Sequence, residues 1–64
     1  MAFNINDVVR LALDLPAQGL TTSLLGVVVA KFSDPVEAYE VEFTDEHGQT
    51  IAQLALLPHQ IVSA

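Results

Sequence analysis

The sequence predicts an all-β fold, and three observations predict it. From Tyr39 to Phe43 apolar and charged residues alternate strictly, which places Tyr39, Val41 and Phe43 on one face of an extended segment and Glu40 and Glu42 on the other. The run Val27-Val28-Val29 is β-branched throughout, and such a run favours an extended backbone over a helix. Asp45-Glu46-His47-Gly48 supplies polar turn residues followed by a glycine able to take positive φ, the chemistry of a short hairpin loop.

Taken in order, the first element is the least determined. As a strand, Asp7 to Leu15 would point Val9, Leu11, Leu13 and Leu15 one way and Val8, Arg10, Ala12 and Asp14 the other. As a helix capped by Asn6, it would align Val8, Leu11, Ala12 and Leu15 and space Arg10 and Asp14 as an i,i+4 pair. A helix this short is marginal without tertiary support and everything downstream is strand-like, so strand is the favoured reading. Pro16 ends the element either way. The segment from Pro16 to Ser23 is a loop with room for a short irregular hairpin, and an acidic residue just before it, Asp14, is placed to accept hydrogen bonds from loop amides.

The β-branched run belongs to a strand from Leu25 to Phe32, with Gly26 near its start marking a bend or a close backbone approach. Ser33-Asp34-Pro35 turns the chain, through Val36 and Glu37, into the strand of Tyr39. After the hairpin loop, Thr50 to Leu57 is a strand whose alternation is blurred. Either Ala52, Leu54 and Leu56 or Ile51, Ala55 and Leu57 could face the core, a pattern that suggests a strand buried on both faces or shared between two sheets. Pro58-His59-Gln60 is a single tight turn of 3-10 type, and Ile61-Val62 a very short closing strand. Five short strands, a long first loop, tight later turns and one helical turn before the last strand describe a small SH3-like β-barrel, one domain over residues 1–64.

Composition narrows the function. A chain of 64 residues buries only about 60% of its unfolded surface. With 52% apolar residues, some of that apolar surface is expected to stay exposed, as interaction patches are. Eight acidic residues against two basic ones give a formal charge of −6, which argues against nucleic acid as a partner, since that affinity comes largely from Lys and Arg. There is no cysteine, which excludes disulfides and thiolate metal sites and agrees with a reducing cytoplasm. The first residues have no basic region leading into an apolar core segment, and Leu24 to Ala30, the longest apolar run, falls far short of a membrane span. The expectation is a soluble cytoplasmic protein without membrane insertion.

Asp7, Val9, Leu11, Asp14-Leu15-Pro16, Gly19-Leu20, Gly26 with Val28-Val29, Tyr39-Glu40-Val41-Glu42-Phe43, Gly48 with Thr50, and Leu56 with Gln60-Ile61 follow one another in a characteristic order. In this order and spacing the chain resembles, over almost its whole length, a family of short bacterial, notably cyanobacterial, proteins known as a domain of unknown function. The resemblance implies an SH3-like barrel and no assigned enzyme activity. Shortly before Gly26, where that family usually has a glycine and then an acidic residue, this chain has Ser23 and Leu24, and the usual basic positions before them are Thr21 and Thr22. The family's Gly-acidic-x-Gly-x-Val pattern is similar to the KOW motif of nucleic-acid-binding proteins, and the loss of its first glycine and nearby positive charge weakens that likeness here.

No residue set offers a nucleophile, a base and an orienting group together, so no enzyme activity, catalytic residue or cofactor is expected. Glu40 and Glu42 share an exposed strand face without an evident pocket to shift a pKa. Thr21, Thr22 and Ser23 have no activating base near them in sequence, and the spacing of His47 and His59 matches no metal motif. Two candidate interaction surfaces remain. One is the acidic surface of Glu37, Glu40, Glu42, Asp45 and Glu46, with Glu40 and Glu42 on the strand face, which either docks a basic protein or is a solvated strand face and polar turn that discourages edge pairing. The other is Leu20, Leu24 and Leu25 with Val27, which either form an apolar contact surface or cap the open end of the barrel. The function expected is a non-enzymatic protein-interaction module, homo-oligomeric or the small partner of a larger protein, such as the neutralising half of a toxin–antitoxin pair. A KOW-like nucleic-acid-binding module is the alternative.

Overall fold

The computed structural model describes residues 2–64. It contains five strands, β1 (Val8–Leu11), β2 (Leu25–Phe32), β3 (Ala38–Thr44), β4 (Thr50–Leu56) and β5 (Ile61–Ser63), with 3-10 turns at Pro16–Gln18 and Pro58–Gln60. All neighbouring strands are antiparallel in one sheet of order β4-β3-β2-β1-β5. The all-β class, the five strands and the helical turn before the last strand are those the sequence predicts. The expected closure into a barrel is absent. The three residues of β5 give their ladder to β1, which leaves the seven-residue β4 as the opposite, unpaired edge.

The sheet nevertheless curls around its own core. Laid flat, four interstrand spacings of ~4.8 Å would hold β4 and β5 about 19 Å apart. Leu57–Gln60 is all that joins Leu56 to Ile61, and with three of its residues in a 3-10 turn it reaches only about 13 Å. Leu56 and Ile61, from opposite edges, accordingly meet in one cluster with Phe3, Val9, Leu11, Leu20, Val28, Tyr39, Val41 and Phe43. Tyr39, Val41 and Phe43 are fully buried, as the alternation of β3 requires. The ring of Phe3 meets that of Tyr39 edge-on, with centroids 5.2 Å apart and planes at 89°.

Gly26 explains how the centre of this sheet packs. It lies between Val9 and Phe43 in register, and a Cβ there would stand 2.6 Å from Val41 Cγ1 and 2.8 Å from two ring carbons of Phe43. The glycine is the space into which β3's core side chains fit.

The first element is a strand, which overturns the helical alternative, but it is shorter than Asp7 to Leu15. It ends at Leu11, the chain bends, and Leu13 is exposed. Leu15 then bridges to Leu20 across the Pro16–Gln18 turn, closed by Gly19 at φ 71°, so the loop does hold a short hairpin. Asp14 binds that loop as expected, accepting hydrogen bonds from the Thr22 amide at 2.6 Å and the Thr22 hydroxyl at 3.0 Å. These hold its carboxyl below the usual aspartate range, the amide contributing most.

In the β3–β4 hairpin, Gly48 takes φ 80° and donates to the Asp45 carbonyl, while the Asp45 side chain accepts from the amides of His47 and Gln49. The blurred alternation of β4 resolves in favour of Ala52, Leu54 and Leu56. Ile51, Ala55 and Leu57 are exposed, so β4 is not buried on both faces. An edge strand of a single sheet has only one covered side.

Candidate interaction face

The convex outer side of the sheet is assembled by strand register. Val62, Arg10 and Leu25 form one cross-strand row, Val8, Val27, Glu42 and Gln53 a second, and Ala30, Glu40 and Ala55 a third. The β5–β1–β2 half is therefore apolar, with Val8 51%, Leu25 48% and Val62 45% exposed around Arg10. The β3 half is acidic. Glu42 accepts a hydrogen bond from the Thr50 hydroxyl and Glu40 one from Gln53 Nε2 at 3.3 Å, both within the β3–β4 hairpin.

This arrangement separates the residues that the sequence groups together. Leu25, Glu40 and Glu42 lie on the outer face. Leu20 does not: it is buried in the core at 4% exposure, and Leu24 is half-buried against the same cluster. Both close over the core, Leu20 through its bridge to Leu15 and Leu24 through its carbonyl, which accepts from the Leu11 amide at 3.1 Å. Val8 and Val62 were missed by a reading that followed single apolar runs. Their signal is the phase of β1: once Val9 and Leu11 face inward, Val8 and Arg10 must face out, and Val62 follows from its pairing with Arg10.

On the inner side, at the end of the sheet near the N-terminus, Tyr39 donates a hydrogen bond to Glu37, and the amides of Ala2 and Phe3 approach Glu37 and Tyr39 at 3.5 and 3.4 Å. The Tyr39 hydroxyl lowers the Glu37 pKa, whereas burial and then the Glu37 bond raise that of Tyr39. His47, in the exposed hairpin loop, stands 3.7 Å from Glu46, and His59 is exposed in the last 3-10 turn. Among the described residues no three His, Asp or Glu side chains are grouped to hold a metal ion, and no helix is long and apolar enough to cross a membrane.

These features define a small all-β domain built on one curled, open antiparallel sheet, with a two-sided outer face and a free β4 edge. The family model described as Domain of unknown function (DUF4926) matches residues 5–63, and the chain belongs to that family. Comparison with curated proteins and with solved structures gives no match.

Proposed function

We propose that this chain is a non-enzymatic protein-interaction module that docks a basic protein through the outer face of its sheet. The observation that carries the reading is the juxtaposition on one face of an exposed apolar half, Val8, Leu25 and Val62, with the carboxylates of Glu40 and Glu42. Apolar contact at the centre supplies affinity, and the acidic flank supplies orientation and association rate. Neutralisation of a basic toxin is one form such docking takes. The net charge of −6 favours a protein partner over nucleic acid.

The test is titration calorimetry of the purified chain against basic proteins encoded beside it or co-purifying with it from native cells. The double variant Glu40→Lys, Glu42→Lys is predicted to keep the circular dichroism of the parent, because both side chains point out of the sheet. Its affinity should fall about tenfold or more, with the parent's binding weakening as salt is added. Indifference of binding to both charge reversal and salt would refute the docking mode. An RNA gel shift showing a complex at physiological salt would favour the KOW-like alternative.

A further inference from the structure

All eight acidic residues lie at or before Glu46, and from Gln49 to Ala64 the chain carries no Asp, Glu, Lys or Arg. That uncharged segment contains both edges of the sheet. Edge strands are normally blunted by charge, proline, a β-bulge or shortness. The three residues of β5 are short, but β4 is seven residues long, has neither charge nor proline, and extends ~24 Å. Only at its first residues does a register irregularity interrupt it. Alternate backbone amides and carbonyls of such an edge point away from β3 and need a partner other than the sheet itself.

We infer that β4 is the edge through which two copies of this chain pair, antiparallel about Gln53, joining their sheets into one continuous sheet. This rests on the reading of the chain as an interaction module and names a second copy as a partner. Pairing about Gln53 sets Ala52 opposite the partner copy's Leu54 and Gln53 opposite its own mate, in the part of β4 that follows the irregularity. Inner faces then stay on one side and outer faces on the other, as the period of two demands. A chain of charge −6 can associate with itself only where its carboxylates stay apart. Here the nearest outer-face carboxylates, Glu40 and Glu42 on β3, sit three strand spacings from their counterparts, about 14 Å, beyond the screening length of ~8 Å at physiological salt. Each copy has only one long edge, so the isologous contact closes at two chains and does not propagate. A single strand pair falls short of the ~800 Å² per partner of a standard interface, so the dimer forms reversibly, in a concentration-dependent manner.

Sedimentation equilibrium of the full chain, from low micromolar to millimolar, reads this directly. The mass is expected to rise from 6.9 kDa towards twice that value and no further. Gln53→Lys sets two ammonium groups against each other at the twofold axis. In the single chain the same lysine lies opposite Glu42 in register and beside Glu40, so the fold should be kept or strengthened. This variant is expected to weaken dimerisation at least tenfold with unchanged circular dichroism, whereas Leu25→Lys on the outer face leaves it unaltered. A parent chain that stays monomeric to millimolar concentration overturns the inference, as does a Gln53→Lys chain that dimerises like the parent or a Leu25→Lys chain that does not. The outer-face test with Glu40 and Glu42 reads binding of a different protein, whereas this one reads self-association, so either reading can fail without the other.

Discussion

Replacing Gly26 by alanine adds one methyl group at the most crowded point of the sheet. Gly26 lies in β2 with ordinary strand geometry, and in an open strand position the change would stabilise by roughly 0.5–1 kcal/mol, because glycine loses more backbone freedom on folding. Here the new carbon stands 2.6 Å from Val41 Cγ1 and 2.8 Å from Phe43 Cδ1 and Cε1, where van der Waals contact needs ~3.5 Å or more. Val41 and Phe43 are fully buried, with core on their other sides, so neither can retreat without displacing a neighbour. Overpacking of this kind costs about 1–3 kcal/mol, enough to outweigh the backbone gain and reverse the sign. Set against the backbone gain this leaves a net loss of up to about 2 kcal/mol; in a domain this small each kcal/mol moves the melting temperature by roughly 4–8 °C, so a fall of several degrees, up to about 16 °C, is expected by thermal circular dichroism. Urea unfolding should show a lower midpoint at unchanged slope. Val41→Ala removes the nearest obstacle, so the double variant should be less destabilised than the sum of the two single changes, by about 1 kcal/mol. A Gly26→Ala chain as stable as the parent, or strict additivity in the double variant, would refute the packing argument.

Two further outcomes follow from particular residues. Ser23 has φ 71°, a region costing a non-glycine residue about 1–2 kcal/mol, so Ser23→Gly should raise the urea midpoint slightly, the gain being limited by glycine's freedom in the unfolded chain. An unchanged or lowered midpoint would show that Ser23 is held without strain. Burial, followed by the bond to Glu37, raises the folded-state pKa of Tyr39, so its contribution to stability is complete below the unfolded tyrosine pKa of about 10 and is lost as pH rises through the higher folded value. Urea midpoints measured from neutral to strongly alkaline pH should therefore fall less steeply in Tyr39→Phe than in the parent, and parallel curves would contradict the linkage.

Period-two alternation made the centre of the fold legible and failed at its margins. Tyr39, Val41 and Phe43 could be assigned to the core because each is separated by a carboxylate that cannot be buried unpaired. In β4 the intervening residues are themselves apolar or uncharged, so both phases were open until pairing with β3 set Leu56 opposite Tyr39 and Leu54 opposite Val41. Leu20 lay outside any strand pattern, and its burial depends on the Gly19 turn that folds it back onto Leu15. Closure could not be read at all. The same five strands suit a sealed barrel or an open sheet, and what separates them is the three-residue length of β5 and its pairing with β1 alone, quantities of geometry more than of pattern.

Ser23, which stands where the family that the sequence resembles usually has a glycine, takes left-handed backbone at φ 71°. A glycine there follows from conformation and requires no ligand. The turn that carries the chain into β2 is built at this point: Ser23 donates its amide to the Leu11 carbonyl, and the Leu24 carbonyl accepts from the Leu11 amide.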